Sequence, residues 1–497
     1  MIELTLARVA EIVGGTLADI TPEDAAATRI TGTVEFDSRA VTPGGLFLAL
    51  PGARSDGHDF AAAAVAAGAT AVLAARPVGV PAVIAPPAEG PEGTGVLEHD
   101  TDGAGAAVLA ALARLAAAVA AELVAGKLRI VGITGSSGKT STKDLVAAVL
   151  APLGDVIAPP GSFNNELGHP WTVLRADRET DFLVLEMSAR HPGNIAALAA
   201  IAPPSIAVVL NVGTAHLGEF GSREAIAATK SELPQAVPAS GVVVLNADDS
   251  AVAAMADVTE ARVVRVSRDP GADLWADEVA LDELARPRFT LHAAGGATPV
   301  TLAVHGDHQV SNALCAAAVA LECGATLDQV ATALAGAGPV SRHRMQVSTR
   351  DDGVTVVNDA YNANPDSMRA GLKALAWMAR SGGAPRRSWA VLGEMAELGD
   401  DSIAEHDSIG RLAVRLDVSR LIVVGTGRSA SAMHQGAVME GSWGAEATRV
   451  DDADAALALL RDELQPGDVV LVKASNSAGL GVLADALAAG EDGATAR

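Results

Sequence analysis

The stretch VGITGSSGKTSTKD, residues Val131–Asp144, decides what kind of fold the centre of the chain adopts. It continues the apolar segment LRIVGIT, which is typical of a buried strand, and it leads into TSTKDLVAAVLAPL, which has the pattern of a helix. A turn of this kind points backbone N–H groups and the positive end of the helix at an anion. The common phosphate-loop pattern requires a glycine where Ile133 stands, so the spacing departs from that pattern by one residue.

The residue types of this loop favour a nucleoside triphosphate as the ligand. Gly135 and Gly138 permit close approach of the backbone. Lys139 supplies a point charge for the outer phosphates, and Thr140 offers a hydroxyl group to Mg²⁺. The alternative is a strand-to-helix turn whose glycines are incidental, but Gly-Lys-Thr in this context favours the phosphate site.

Apolar strands alternate with helices through most of the chain, which predicts an α/β fold with mostly parallel sheets. The Pro- and Gly-rich segment ARPVGVPAVIAPPAEGPEGTG marks a first boundary, and the alternation restarts after ALAGAGPVSRHRM. We therefore predict three domains. They are a small N-terminal α/β substrate domain at 1–97, a central P-loop ATPase-like domain at 98–340, and a C-terminal Rossmann-like doubly wound domain at 341–497.

Composition excludes several classes of protein. The net charge of −24 repels polyanions, so we expect neither a nucleic-acid partner nor an anionic membrane surface. Two cysteines, Cys315 and Cys323, indicate a reducing compartment without a disulfide framework. The start of the chain lacks the pattern of a signal peptide, and the longest apolar run carries Arg114 and Glu122, which are costly in a bilayer. We expect a cytoplasmic protein that is not embedded in a membrane.

Three further residues are candidates for a metal site next to the loop. Glu186 and His216 follow the apolar strands DFLVLEM and SIAVVLNV, and ligands of open parallel sheets bind at the carboxyl ends of strands. Each residue alone has an ordinary structural alternative, a strand terminus or a packed histidine, but their common location favours Mg²⁺. Lys230 lies in a helical pattern, where a lysine is usually a solvated surface group.

The motifs together resemble the Mur ligase family of ATP-dependent, amide-forming enzymes. Its version of the phosphate loop is similar to TGSSGKTSTKD, and further similar segments run through the chain, including NNELG, NVGTAHLGEFGS, ATKSEL, YNANPDSM and GEMAELG. Three of these, NNELG, YNANPDSM and GEMAELG, resemble the type that joins D-alanyl-D-alanine to UDP-N-acetylmuramoyl-tripeptide through an acyl phosphate. The resemblance implies ATP and Mg²⁺ as cofactors, and we expect a monomer.

The resemblance also implies roles for individual residues. Lys139, Glu186, His216 and Lys230 would be catalytic, with Thr140, Glu186, His216 and a CO₂-derived carbamate on Lys230 as metal ligands. The loop positions that hold ATP are Thr134, Gly135, Ser136, Ser137, Gly138, Lys139, Thr140 and Ser141. Other nucleotide-facing positions are Asn164, Asn165, Asn312, His343, Arg344, Asp359 (which would bond the ribose hydroxyls), Asn362 and Lys473. Substrate-binding positions are Ser38, Arg39, Asp56, Gly57 and His58 for the UDP-sugar, with Ser188, Arg190, Tyr361 and Asn364.

One departure and two alternatives accompany this interpretation. The family segment KGSR reads KASNS here, with Asn476 in place of the arginine, so no anion contact is predicted at that position. A sister ligase that adds a single amino acid shares the loop, Glu186, His216 and Lys230. An ATP-regulated switch would need the loop but no carboxylate substrate. The segment VVGTGRSA at 423–430 lacks the full dinucleotide fingerprint, and we interpret it as a strand-to-helix turn.

Overall fold

The computed structural model describes residues 1–88, 97–213, 217–441 and 446–490. Its N-terminal part contains a five-stranded sheet in the order β2-β7-β6-β5-β4 and a small β1–β3 ladder. Its elements are β1 Leu4–Thr5, α1 Leu6–Val13, β2 Thr16–Ala18, α2 Pro22–Ala27, β3 Arg29–Ile30, β4 Val34–Glu35, β5 Gly45–Leu48, α3 Ala61–Ala66, β6 Ala69–Ala74 and β7 Ala82–Ile84.

The long helix α4, Ala104–Val124, connects this part to the central one. By length and composition it is the one described helix that could cross a membrane, but about half of it (56%) is buried within the protein. It packs against α1, and the Arg114 guanidinium on it donates a hydrogen bond to the Val13 carbonyl oxygen at 2.9 Å. The burial and this contact are those of a core helix.

The central part is built on a nine-stranded sheet in the order β16-β15-β14-β13-β12-β11-β8-β10-β9. Its elements are β8 Arg129–Thr134, α5 Lys139–Leu150, β9 Val156–Ile157, α6 Gly168–Val173, β10 Phe182–Glu186, α7 Asn194–Ile201, β11 Ile206–Val209, α8 Leu217–Phe220, α9 Arg223–Ala236, β12 Val242–Asn246, α10 Ser250–Ala253, β13 Arg262–Ser267, β14 Leu274–Leu281, β15 Pro287–Ala293, β16 Gly296–Thr301, α11 Gln309–Glu322 and α12 Leu327–Gly336.

Strands β8 to β13 pair in parallel, as the alternating pattern predicts. The strands β14, β15 and β16 extend the sheet as an antiparallel meander that the sequence analysis did not identify. Residues of β15 alternate between buried and exposed positions, which suits a sheet with one covered face. The interiors of strands β8, β10 and β11 are apolar and buried, so both of their faces are covered, and their carboxyl ends lie side by side.

The C-terminal part is a six-stranded sheet in the order β17-β18-β22-β19-β20-β21, parallel except for β17. Its elements are β17 Gln346–Thr349, β18 Thr355–Asn358, α13 Pro365–Arg380, β19 Ser388–Leu392, α14 Ser402–Arg415, β20 Arg420–Val424, α15 Arg428–Glu440, β21 Ala447–Val450, α16 Ala453–Glu463, β22 Val469–Lys473 and α17 Leu480–Ala489. The α/β class predicted for the chain is confirmed, and β20 does lead into α15 through the turn at 425–427.

An aromatic cluster joins the N-terminal part to the central one. The indole N–H of Trp171 donates to the Val34 carbonyl oxygen at 2.8 Å, and its ring lies 5.9 Å from Phe36 and 4.7 Å from Phe163. Aromatic groups of this size bury a large apolar area and prefer such tilted contacts. The cluster therefore fixes α6, and the loop before it, against the first sheet.

Candidate active site

A cavity of about 1260 Å³ lies where the central and C-terminal parts meet. The phosphate loop lines it from one side, together with the loop after β9 and the ends of β10 and β11. From the other side it is lined by the loop after β18, the start of α13 and the segment after β22. Both sets lie at the carboxyl ends of parallel strands, which is the expected position for a ligand in open α/β sheets.

The phosphate loop is braced by a residue that the sequence analysis did not select, Asn211. Its Oδ1 accepts from the Ser137 N–H at 3.0 Å, its Nδ2 donates to the Ser137 carbonyl at 3.1 Å, and its own carbonyl accepts from the Ser136 N–H at 3.1 Å. Gly138 has a φ of 83°, and a Cβ there would lie 2.8 Å from the Asn312 Oδ1 atom. Only glycine suits that turn.

Lys139 lies at the start of α5, with its Nζ atom 2.7 Å from the Gly135 carbonyl oxygen, folded back across the loop. Burial lowers the pKa of Lys139, while the nearby Glu186 carboxylate opposes that shift and Arg344 adds to it. A lysine so placed needs an anionic partner to compensate its buried charge.

Glu186 ends β10 with one carboxylate oxygen occupied and one free. Its Oε2 accepts from the Ser162 hydroxyl at 3.0 Å and from the Asn164 amide at 3.1 Å. Its Oε1 is buried and has no hydrogen-bond partner among the described residues. The Thr140 hydroxyl lies 3.5 Å from the Ser162 hydroxyl, so the predicted ligands Thr140 and Glu186 share one neighbour. A free carboxylate oxygen beside a hydroxyl suits a hard cation such as Mg²⁺.

Lys230 is buried in α9 and only 6% exposed, so the surface role usual for a helical lysine does not apply. It forms no hydrogen bond or ion pair with any residue in the described ranges. Burial, and then the charge of Lys139, lower the pKa of Lys230 to about 7. A large part of this amine is therefore neutral at physiological pH.

On the C-terminal side, Asp359 and Lys473 form a buried ion pair with an Nζ to Oδ2 distance of 2.6 Å. The Lys473 ammonium also donates to the Asn362 carbonyl at 3.0 Å, and the Met345 N–H donates to the other Asp359 oxygen at 3.0 Å. Burial lowers the pKa of Lys473, and the Asp359 carboxylate opposes that shift. Lys473 thus holds Asp359 at the cavity wall.

Arg344 bridges the two sides of the cavity. Its guanidinium lies 4.1 Å from the ring centroid of Tyr361, and its Nη2 donates to the Thr140 hydroxyl at 3.2 Å. Its Nε–H is buried and has no partner among the described residues. A planar guanidinium beside the phosphate loop has the fork geometry that recognises phosphate.

Several other predicted residues also line the cavity. They are Ser136, Ser137, Ser141, Asn164, Asn165, Ser188, Arg190, Asn312, Asn362 and Asn364, and Asn476 lines it as well. Ser188 donates to Asn164, and Arg190 forms a 2.9 Å ion pair with Glu397 of the C-terminal part. Asn364 caps α13 in a reciprocal capping box with Ser367.

The structure does not bring the predicted UDP-sugar residues to this cavity. Arg39 is exposed and pairs with Asp37, next to Ser38. Asp56 accepts from Arg76 at 2.6 Å and from the N–H of His58 at 2.9 Å, at the start of the short 3₁₀ helix Gly57–Phe60. Burial opposes ionisation of Asp56, but these hydrogen bonds outweigh it and lower the pKa of Asp56 to about 2.

His58 and His343 have structural partners. The His58 ring is buried, its Nδ1 lies 2.6 Å from Asp56, and its Nε2 accepts from the Ala75 N–H. The His343 ring bonds Asp485 of α17 at 3.0 Å and does not line the cavity. Thr134, buried at the end of β8, donates to the Met187 carbonyl rather than to the cavity.

The predicted ligand His216 lies outside the described residues. Within the described ranges, no group of three or more His, Cys, Asp or Glu side chains is arranged to hold a metal ion. Thr140, Glu186 and Lys230 are therefore the predicted ligands whose positions the structure gives.

Comparison with known proteins matches family descriptions along most of the chain. Residues 31–118 match the Mur ligase family catalytic domain, residues 133–320 the Mur ligase middle domain, and residues 343–476 the Mur ligase glutamate ligase domain. These three ranges follow the order of the three structural parts described above.

Relatives and solved structures agree with these matches. The UDP-N-acetylmuramoyl-tripeptide--D-alanyl-D-alanine ligase of Mycobacterium tuberculosis is 76% identical over 98% of both chains, and that of Escherichia coli is 35% identical over 86% of both. MurF from Acinetobacter baumannii superposes with a TM-score of 0.81 at 29% identity, covering 98% of this chain and 99% of that one. MurF ligase from Thermotoga maritima in complex with ADP gives 0.74 at 28% identity, covering 93% and 98%. The chain belongs to the Mur ligase family, and within it to the MurF type.

Proposed function

We propose that this chain joins D-alanyl-D-alanine to UDP-N-acetylmuramoyl-tripeptide, consuming ATP and releasing ADP and phosphate. The observation that carries the proposal is the cavity where the phosphate loop and Arg344 meet, with the Glu186 carboxylate hydrogen-bonded to the lining residues Ser162 and Asn164. The relatives named for this reaction, at up to 76% identity over nearly the whole chain, support the choice of substrates.

The chemistry requires that a carboxylate be activated before it can form an amide. One carboxylate oxygen of the tripeptide attacks the γ-phosphorus of ATP, the bond to the β-phosphate oxygen breaks, and ADP leaves. The dipeptide amine then attacks the acyl carbon of the resulting acyl phosphate, phosphate leaves, and the nitrogen gives up its proton. Phosphoryl transfer of this kind depends mainly on positioning and charge neutralisation.

In this proposal three cations neutralise the phosphate groups: Lys139, Arg344 and a bound Mg²⁺ ion. Lys139 and Arg344 contribute cationic donors from opposite sides of the cavity. Glu186 and Thr140 would hold Mg²⁺, because the Glu186 Oε1 is buried without a partner among the described residues and both side chains contact the Ser162 hydroxyl. When bound, Mg²⁺ supplies Lewis-acid stabilisation of the phosphate oxygens. Asp359, held by Lys473, would accept the ribose hydroxyls.

Lys230 would carry a carbamate in the active enzyme. Only a neutral amine reacts with CO₂, and the burial that lowers the Lys230 pKa to about 7 supplies that neutral amine. The product replaces a buried cation with a carboxylate, which is a ligand type that Mg²⁺ prefers.

The three structural parts suit a division of labour. We assign 1–97 to the UDP-sugar, 98–340 to ATP, and 341–497 to the ribose contact and the incoming dipeptide. Arg39, Asp56 and His58 lie apart from the cavity. In this proposal the N-terminal part binds the UDP end of the substrate, the peptide end extends into the cavity, and the parts close around it. A reaction that uses ATP and a UDP-linked substrate belongs in the cytoplasm, and we assign it to a monomer.

The deciding experiment measures ADP release and product mass with UDP-N-acetylmuramoyl-tripeptide, ATP, Mg²⁺ and D-alanyl-D-alanine. We expect ADP release to require both the tripeptide and the dipeptide. The product should be heavier than the UDP-N-acetylmuramoyl-tripeptide by the mass of D-alanyl-D-alanine less one water. Equal turnover with a single amino acid would favour a sister ligase. ATP hydrolysis at the same rate with and without the two peptides would favour a nucleotide-regulated switch.

A further inference from the structure

The linker at 341–345 connects α12 to β17 and delivers Arg344 to the phosphate loop. Its backbone is unusual on both sides of that arginine. His343 has a φ of 57° and Met345 has a φ of 47°, a left-handed conformation that residues other than glycine seldom adopt. Such a conformation persists only where surrounding contacts impose it.

Asp485 of α17 supplies contacts of this kind. Its Oδ2 accepts from the His343 Nε2–H at 3.0 Å and from Arg342 at 3.2 Å, and its Oδ1 accepts from the Asn358 amide at 2.9 Å. The His343 ring also packs on Gly481, one turn earlier in α17, where an added Cβ would lie 2.6 Å from the ring nitrogen. The linker is therefore seated on α17 through one carboxylate and one glycine.

The partners of Asp485 are the chain neighbours of two proposed nucleotide contacts. His343 directly precedes Arg344, and Asn358 directly precedes Asp359. The Met345 N–H, on the other side of Arg344, bonds the Asp359 carboxylate. One carboxylate outside the cavity thus fixes the backbone that presents both a phosphate contact and a ribose contact.

We propose that Asp485 is a positioning residue for nucleotide binding, acting through His343 on Arg344 and through Asn358 on Asp359. Asp485 does not line the cavity, so its effect must pass through these neighbours. The inference rests on the proposed assignment of the cavity to ATP, and binding of ADP with Mg²⁺ to the wild-type protein tests that assignment separately.

The test compares Asp485→Ala with Asp407→Ala. Asp407 is a matched control, because it lies in the same domain, accepts from an arginine, and its side chain is 35% exposed against 38% for Asp485. We expect Asp485→Ala to weaken the binding of ADP with Mg²⁺, measured by calorimetry, by about tenfold and to raise KM for ATP similarly. KM for the tripeptide and dipeptide should change by less than about twofold, and the thermal midpoint should match that of the control.

Two further variants keep the proposal open to refutation. If Asp485→Ala unfolds, Asp485→Asn retains the shape and one acceptor oxygen, so it keeps one of the two routes and we expect it to weaken ADP binding by about threefold. In an Arg344→Ala background, the loss caused by Asp485→Ala should be at least about threefold smaller than in the wild type, because one of its two routes is already removed. Unchanged ADP binding in the folded variant, or losses that simply multiply, would overturn the proposal.

Discussion

Lys230→Met tests whether Lys230 is a functional residue, because we expect this substitution to lower activity and to raise stability. Burial and the neighbouring Lys139 lower the pKa of Lys230 from 10.5 to about 7. Each tenfold change in proton affinity is worth about 1.4 kcal/mol, so the ammonium form costs the folded protein roughly 5 kcal/mol well below pH 7. The unfolded chain binds the proton more tightly, so this cost shrinks as pH rises from 7 towards 10.5.

Methionine has a similar length and no charge, so it removes the cost. In CO₂-depleted buffer we expect Lys230→Met to gain about 5 kcal/mol at pH 6 and only about 2 kcal/mol at pH 9, observed as a smaller rise in thermal midpoint at the higher pH. We expect its kcat to fall about a thousandfold and not to respond to bicarbonate, whereas CO₂-depleted wild type should regain activity with bicarbonate.

Lys373→Met is the matched control, because Lys373 is an exposed helical lysine of the C-terminal part. It should change neither kcat nor the pH dependence of the thermal midpoint. A Lys230→Met enzyme that keeps more than about a tenth of the wild-type kcat would refute the carbamate. A midpoint shift that is the same at pH 6 and pH 9 would refute the buried-ammonium reasoning.

Three other perturbations have definite expected outcomes. Lys139→Ala should lower kcat at least about a hundredfold with an unchanged thermal midpoint, because it removes a charge from the phosphate loop; near-normal turnover would make that loop a mere turn. Asn211→Ala loses two hydrogen bonds to the Ser137 backbone, about 2 kcal/mol, and should lower kcat/KM for ATP by up to roughly thirtyfold while KM for the dipeptide stays constant. Asp56→Asn should lower the thermal midpoint at neutral pH, by a margin that narrows below pH 3.8 and disappears as pH falls through about 2, since the Asp56 pKa is about 2; a margin that persists in acid would contradict the role of its charge.

Local pattern sufficed to predict the parallel strands and the turn that leads from β8 into α5. Strands such as β8 and β10 are apolar at nearly every position, and that pattern survives whatever surrounds them. The antiparallel meander of β14 to β16 was missed because its polar and apolar residues are interrupted by a register shift between Asp277 and Ala280. Alternation broken by a bulge is a weak signal in a single sequence.

The same contrast holds for the site. Lys139 and Thr140 are recognisable because loop, strand and helix are contiguous in sequence. Asn211 follows a strand of the same sheet and lies 74 residues after the Ser137 that it braces. No local sequence pattern indicates that contact. Its position at the carboxyl end of β11, next to the loop, was the available signal. His343 shows the converse, because it adjoins Arg344 in sequence while its ring faces α17 rather than the cavity.

The unsatisfied groups of the described residues bear on the proposal that the cavity binds a triphosphate and a metal. A buried polar atom without a partner costs free energy, and folded proteins rarely retain one without a reason. Among the described residues, Glu186 has a carboxylate oxygen and Arg344 an N–H without a partner, and both residues reach Thr140 directly or through Ser162. The Glu186 oxygen suits a cation and the Arg344 N–H suits an anion. Together they suit a metal ion bound to an anion better than either ligand alone. We therefore expect binding of ATP with Mg²⁺ to raise the stability of the folded chain.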